Sequence, residues 1–510
     1  VIAGVIAGGL ALEAAEEPQA STEPPSALVA GVAMPAATAP GTLSSTWYCA
    51  GGTASEDGIA DHALLIANPT DEARVATVTV LTGRFAPPPQ VPDSAAGGST
   101  TTTTEATTTT TTTTEPVPEA PAPIDVELPA LSRVELALRD LVDAPLAGAV
   151  VEVDGAQVAV EHQITSTEDD GGGRATAPCS TTAARSWSFP WGVTERGSRE
   201  LLVFMNPFPD DATVNVDFAT DEGTRDTLRF QNFVVPGRSV VGAFIDEDVT
   251  RKAQVSAQVE VASGRLVVDR IQTFDGTNPA LEGITLGLGA PVPSDVWVFP
   301  DGQVGQGITE QVVVFNPSEE VAEVEVEVRL EDPDTNGVPE PYELTVAPKR
   351  YAIVDLHEPD AEATPETPKR IPDGVAHSIL VRSLNGVFVA AERVVTKSEP
   401  NRNVGVGVTL GSPLAAPTWY LVGGGVTPER TEYVTLFNSS PDRIARFSVT
   451  ALADGRLIEV EGLQDLELAP GGRRAIRLSD HIDREVVPLV IDADGPIVVE
   501  RGLYRVNGRG

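Results

Sequence analysis

Residues 187–192 read Trp-Ser-Phe-Pro-Trp-Gly, and residues 201–207, a few positions on, read Leu-Leu-Val-Phe-Met-Asn-Pro. The first run is an apolar strand opened by a tryptophan. The second stops at a corner, because Asn can bond backbone within a turn and Pro cannot continue a strand ladder. The same couple returns along the chain. Openings recur at 47–52 (Trp-Tyr-Cys-Ala-Gly-Gly), 297–302 (Trp-Val-Phe-Pro-Asp-Gly) and 419–424 (Trp-Tyr-Leu-Val-Gly-Gly), and the matching corners end at Pro69, Pro317 and Ser439. Four of the five Trp residues hold the opening position, which marks it as a structural unit rather than a chance match.

After each corner comes a run of alternating character, at 75–80, 214–218, 324–328 and 447–451, the period of a strand with one buried and one wet face. A Pro-marked turn with a nearby base follows, at 128–133, 235–238, 347–350 and 469–473. Each unit closes on an apolar strand carrying an acid beside a base or His: Glu161 with His162, Asp269 with Arg270, Glu392 with Arg393, Glu500 with Arg501. Strand neighbours point to opposite faces, so at most one of each couple can be exposed, and the couples read as rim or inter-repeat contacts. Short strands between turn signals, with no long helical period, predict an all-β chain of four tandem immunoglobulin-like β-sandwiches. The units are 45–180, 185–291, 295–413 and 417–510. Trp47, Trp187, Trp297 and Trp419 are expected as core plugs, with an aromatic sugar platform as the sharper alternative.

The first unit is the longest because residues 84–123 are inserted between two of its strands, a Pro-rich and Thr-rich tract expected to be disordered and composed like an O-glycosylated stalk. Two cysteines occur, Cys49 in the opening strand and Cys179 beyond the closing one. They read as one bridge stapling both ends of the first unit, or as two separate thiols. Residues 1–12 are apolar and 13–44 acidic and rich in Pro and Ala, which suggests the remnant of a signal or anchor segment followed by a linker. The net charge of −39 repels phosphate backbones and anionic headgroups, so nucleic acid is excluded as a partner and the membrane enters only through the N-terminal segment.

Asp332, Asp334, Asn336, Glu340 and Glu343 follow the spacing D-x-D-x-N-G-x5-E, which supplies hard oxygens around a glycine bend and makes a calcium candidate, while the plain acidic hairpin turn that the same residues spell stands ahead of it. No other cofactor motif occurs. The five His, at 62, 162, 357, 377 and 481, form no metal-binding pair, and no nucleophile elbow or phosphate loop is present, so no catalytic residues are expected. Trp191, outside the opening position, is the exposed aromatic on which a ligand contact is expected.

With its Trp openings, Asn-Pro corners, Pro-Gly-Arg turns and Glu-Arg closings, the chain resembles an uncharacterised family of secreted or membrane-anchored actinobacterial proteins, a domain of unknown function, from about Trp47 to the C-terminus. The resemblance implies an N-terminal membrane anchor and a cell-envelope location, and no functional residues to carry over. The expectation is therefore a non-catalytic, extracytoplasmic structural or interaction protein of the cell envelope, drawn as an elongated string of sandwiches whose partners are other envelope components, protein or glycan. The alternative is an array of carbohydrate-binding modules.

Overall fold

A computed structural model describes residues 44–89, 117–155, 157–166, 173–277, 281–357, 369–401 and 404–505. The segment 1–12, all but the last residue of 13–44, and residues 90–116 of the insertion lie outside them. The described chain is all-β, with one single-turn α-helix, Pro333–Asn336, and a few 3-10 turns.

Strand pairing follows one plan. In the first stretch the opening strand Ser44–Cys49 pairs with Leu146–Asp154, which pairs with the alternating strand Arg74–Phe85, and that with Ile124–Leu128. The facing sheet runs Ser132–Ala137, then the corner strand Asp61–Asn68, the closing strand Ala159–Ser166 and a last strand Gly173–Pro178. The third stretch repeats both orders, as Val296–Phe299, His377–Ser383, Ala322–Leu330, Tyr342–Val346 and as Arg350–Asp355, Ile308–Asn316, Ala390–Lys397, Gly405–Leu410. The second does the same, its corner strand Ser198–Asn206 lying between Ser239–Phe244 and the closing strand Val267–Asp275, which pairs with Glu282–Leu288. In the fourth, a single 17-residue strand, Leu489–Arg505, serves both sheets: 489–493 lie between Ala416–Leu421 and Ala445–Ala453, and 498–505 pair with Arg430–Phe437. The insertion leaves after Phe85 and returns before Ile124.

Each opening Trp is buried in a different apolar cluster, so the chain has several interiors rather than one. Three of the indoles also fasten the closing turn. Trp187 Nε1 donates to Leu266 O at 3.1 Å, Trp297 to Val389 O at 2.8 Å and Trp419 to Ile497 O at 2.9 Å, each acceptor lying three residues before the closing acid. Trp47 Nε1 is buried with no hydrogen-bond partner among the described residues.

The corner asparagines explain the turns. Asn68, Asn206, Asn316 and Asn438 are all buried, and each Oδ1 accepts the amide two residues on, from Thr70, Phe208, Ser318 or Ser440. Each Nδ2 donates to a carbonyl at the end of a neighbouring strand: Leu128, Val235, Val346 and Leu468. One side chain therefore ends a strand and ties the two sheets together. Ser439 in place of Pro leaves this geometry unchanged.

The elongated string is corrected. The first two stretches share a sheet through parallel pairing of Val240 and Val241 with Gly83 and Arg84, and the fourth stretch returns to touch the first. Val422 packs in one cluster with Leu65, Ala67 and Ala159. The array closes on itself as a ring.

Candidate functional site

The closing couples sit at the joints of that ring, and all four joints have one plan. The base of one stretch meets the acid of the next. Arg270 Nη2 lies 2.9 Å from Glu392 Oε1 and its Nη1 3.0 Å from Oε2, a two-pronged pair buried on both sides. Arg393 Nη2 lies 2.5 Å from Glu500 Oε1. Arg501 Nη2 lies 3.0 Å from Glu161 Oε2, across 340 residues of sequence, and joins the fourth stretch to the first. At the remaining joint His162 Nε2 is 3.6 Å from Asp269 Oδ2.

A backbone amide completes three of the joints. The fifth residue of an opening run donates to the acid of the next stretch: Trp191 N to Glu392 Oε2 at 2.8 Å, Asp301 N to Glu500 Oε2 at 3.1 Å, Gly423 N to Glu161 Oε2 at 2.7 Å. The carbonyls of Trp191 and Gly423 accept from Arg270 and Arg501 in return. Ala50 and Gly51 face Asp269 in the same way, but neither carboxylate oxygen makes a hydrogen bond of normal geometry. Burial pushes the Asp269 carboxyl up to about 8, further than those amides pull it down.

Behind each base stands a third group that sequence reasoning missed. It lies six residues before the corner Asn: His62, Glu200, Glu310 and Glu432. Glu310 Oε1 is 3.5 Å from Arg393 Nη1, and its other oxygen 2.8 Å from His377 Nε2. Burial pushes Glu200 up to about 8 although Arg270 draws it down, and Glu432 up to about 7 against Arg501. Although burial opposes it, the Glu500 and Glu310 carboxylates hold Arg393 above the usual guanidinium range. The signal was the constant offset from the Asn. A second signal was the glycine that ends each opening run: an added Cβ at Gly192 would stand 2.4 Å from Glu200 Oε2, and at Gly424 2.5 Å from Glu432 Oε2.

In the first stretch two imidazoles replace Glu and Arg. His62 Nδ1 bonds Ala147 O at 2.8 Å and its Nε2 faces His162 Nδ1 at 3.1 Å. Burial lowers His62 to about 4 and holds His162 well below its usual value, with the neighbouring His62 adding to the effect.

The other expected residues fall as follows. Cys49 and Cys179 are joined in a disulfide with Cα atoms 4.6 Å apart. Trp191 is not an exposed platform: it is 3% exposed, packed with Val193 and Phe274 of its own stretch against Val313 and Val394 of the next. Its amide and carbonyl are both engaged at the joint. Asp332, Asp334, Asn336, Glu340 and Glu343 do not converge. Residues 333–336 form the one-turn helix, the amide of Asn336 is taken by Glu331 O at 2.6 Å, and Glu343 leaves on the paired strand Tyr342–Val346. No three His, Cys, Asp or Glu among the described residues are grouped to hold a metal. Nor is any helix among them long and apolar enough to cross a membrane. The disulfide fits an oxidising compartment.

Buried at the joints, these groups hold stretches together, and the closing carboxylate that each base meets is brought to it by the neighbouring stretch. Among solved structures, the chain is similar to Thermotoga maritima 1070, at 21% identity over 23% of this chain and 93% of that one with a TM-score of 0.19. It is also similar to the Anabaena sensory rhodopsin transducer, at 22% identity over 20% and 94% with a TM-score of 0.16. Neither likeness carries an argument. No curated protein matches. Residues 139–365, from within the first stretch into the third, match a family of unknown function, DUF5719.

Proposed function

We propose that this chain is a non-catalytic scaffold and interaction protein of the cell envelope, made of four immunoglobulin-like sandwiches closed into a ring outside the cytoplasm. The observation that supports this reading is where the titratable groups lie. The acids and bases that could serve chemistry are engaged across the four joints, where they fix one stretch against the next. A rigid ring presents turns and a strongly acidic surface in fixed relative positions, which suits binding to other envelope components, protein or glycan. The disulfide and the apolar residues 1–12 support an exported chain attached at its N-terminal side.

The test is retention of the full chain on isolated envelopes at physiological ionic strength. Saturable retention, competed by unlabelled chain, is expected. Retention no greater than that of an unrelated acidic protein overturns the reading. Competition by free sugars would move the assignment to the carbohydrate-binding alternative.

A further inference from the structure

In three stretches the outer side of the closing strand is covered by a further strand. Ala159–Ser166 is paired by Gly173–Pro178, Val267–Asp275 by Glu282–Leu288 and Ala390–Lys397 by Gly405–Leu410. In the fourth, residues 498–505 pair with Arg430–Phe437 on one side and with no described strand on the other. That side borders a cavity of about 340 Å³ to which all four stretches contribute wall, among it Thr176, Thr285, Lys397, Val499 and Tyr504.

A strand edge presents main-chain donors and acceptors in a fixed pattern, a template for one more strand. In the covered stretches the carbonyl just before the closing acid accepts the amide of the residue that follows the cover: Val160 from Cys179, Val268 from Gly289, Ala391 from Gly411. Alternate residues turn amide and carbonyl to the same side, so in the fourth stretch Val499, Arg501 and Leu503 turn theirs to the cavity. The covers also show what fits. Each is six or seven residues long, antiparallel, and made mostly of Gly, Ala, Thr and branched apolar residues. The end of the cavity where such a strand begins is cationic. Lys397, opposite Gly405, lies 3.7 Å from the centre of the Tyr504 ring. The other three lysines, Lys252, Lys349 and Lys369, lie in ion pairs, and Lys397 has no carboxylate in ion-pair reach among the described residues. Arg174, opposite Thr165 in the first cover, lines the same cavity and likewise meets no carboxylate among them.

We propose that this edge binds an extended peptide of a partner protein, acidic at its N-terminal end and small or β-branched thereafter, laid antiparallel to 498–505. The main-chain ladder to Val499, Arg501 and Leu503 supplies the affinity, as in strand addition generally, and the walls of the cavity select the side chains. Lys397 and Arg174 fix the direction, because only an antiparallel peptide brings its leading acid to them. The second cover, which begins with Glu282 and continues Gly-Ile-Thr-Leu, already has that composition. The proposal rests on the reading of the chain as an interaction protein and gives that reading one partner chemistry.

The probe is a synthetic peptide with the sequence of residues 282–290, Glu-Gly-Ile-Thr-Leu-Gly-Leu-Gly-Ala, dye-labelled at its C-terminus and titrated into the full chain by fluorescence anisotropy. Saturable one-to-one binding is expected. It should weaken by about tenfold or more when the leading Glu of the peptide is changed to Lys, and likewise when the chain carries Lys397→Glu. Hydrogen exchange on the unsubstituted chain is the second arm and does not depend on a variant folding: saturating peptide should slow exchange at Arg501 and Leu503 by about tenfold or more. Absence of binding, or binding that leaves those two amides unchanged, overturns the proposal. So does protection equal to that of the other closing strands before any peptide is added, which assigns the edge to the chain itself, or to a second copy where the protection falls on dilution. Retention on envelopes that persists while the peptide fails to bind sinks the peptide edge alone and leaves the scaffold reading standing.

Discussion

The joint between the first and second stretches and the joint between the second and third use the same backbone positions with different chemistry. At the latter, the Arg270 guanidinium grips Glu392 with two hydrogen bonds in a two-pronged pair. At the former, His162 is buried and held below its usual pKa, so it stands neutral, 3.6 Å from an Asp269 that burial pushes up to about 8. One joint is an ion pair and the other a contact between two groups that burial drives towards neutrality. The stretch with the weak joint is also the one with the disulfide, and Cys49 immediately precedes the two amides that face Asp269. The covalent link holds in place the backbone that elsewhere is held by charge.

Breaking each support in turn sharpens the contrast. Replacing both Cys49 and Cys179 by Ala should lower unfolding stability by about 5 kcal/mol in the chain-entropy account, read by denaturant titration, and a loss below about 1 kcal/mol would show that the staple constrains little. Arg270→Met should come next, at about 3 kcal/mol, because Glu392 is left buried without its partner. The double variant Arg270→Met with Glu392→Met should recover most of that loss, since paired apolar groups avoid the desolvation of two charges. If the single and double variants unfold alike, the joint is not an ion pair in solution.

The weak joint should respond to pH from both sides. His62 is lowered to about 4, so its contribution is complete above about 6.5 and is lost as pH falls towards 4. Asp269 is raised to about 8, so its contribution is complete below about 4 and is lost as pH rises through 8. Asp269→Asn should therefore match the parent near pH 4 and melt higher than the parent at pH 8, the gap opening as the pH rises between the two. A variant that is less stable than the parent at pH 8 would mean that Asp269 is ionised and paired in the folded ring.

Much of the ring was legible in the residues. Tryptophan openings, asparagine corners and acid–base closings mark the strands because each depends on local physics: an indole to bury, a turn to cap, two neighbours on opposite faces. The reading of Glu161, Arg270 and their equivalents as inter-repeat contacts was within reach for the same reason. Closure was not, because nothing near Arg501 in sequence points to Glu161; only the angle between successive stretches decides whether four of them meet. Trp191 was misread because its exposure depends on the stretch that covers it. The corner-strand acids were missed because in isolation Glu200 or Glu432 looks like a solvated charge near the start of a strand, and its burial goes with a glycine just beyond the opening strand.

The smallest effect belongs to the acidic turn at 332–343, which contrasts with the joints in being carboxylate-rich and solvated. Asp334 is exposed at the tip of the one-turn helix, and an exposed charge makes little difference to folding. Asp334→Asn should change stability by less than about 0.5 kcal/mol. A bound cation would change this expectation in a specific way, since a ligand that binds only the folded form raises the melting temperature as its concentration exceeds its dissociation constant. The parent and Asp334→Asn should therefore melt together with and without millimolar calcium. A calcium-dependent rise in the parent that Asp334→Asn abolishes would show that the turn rearranges to gather its carboxylates, an arrangement in which Asn336 would have to release Glu331 and Glu343 would have to leave its strand.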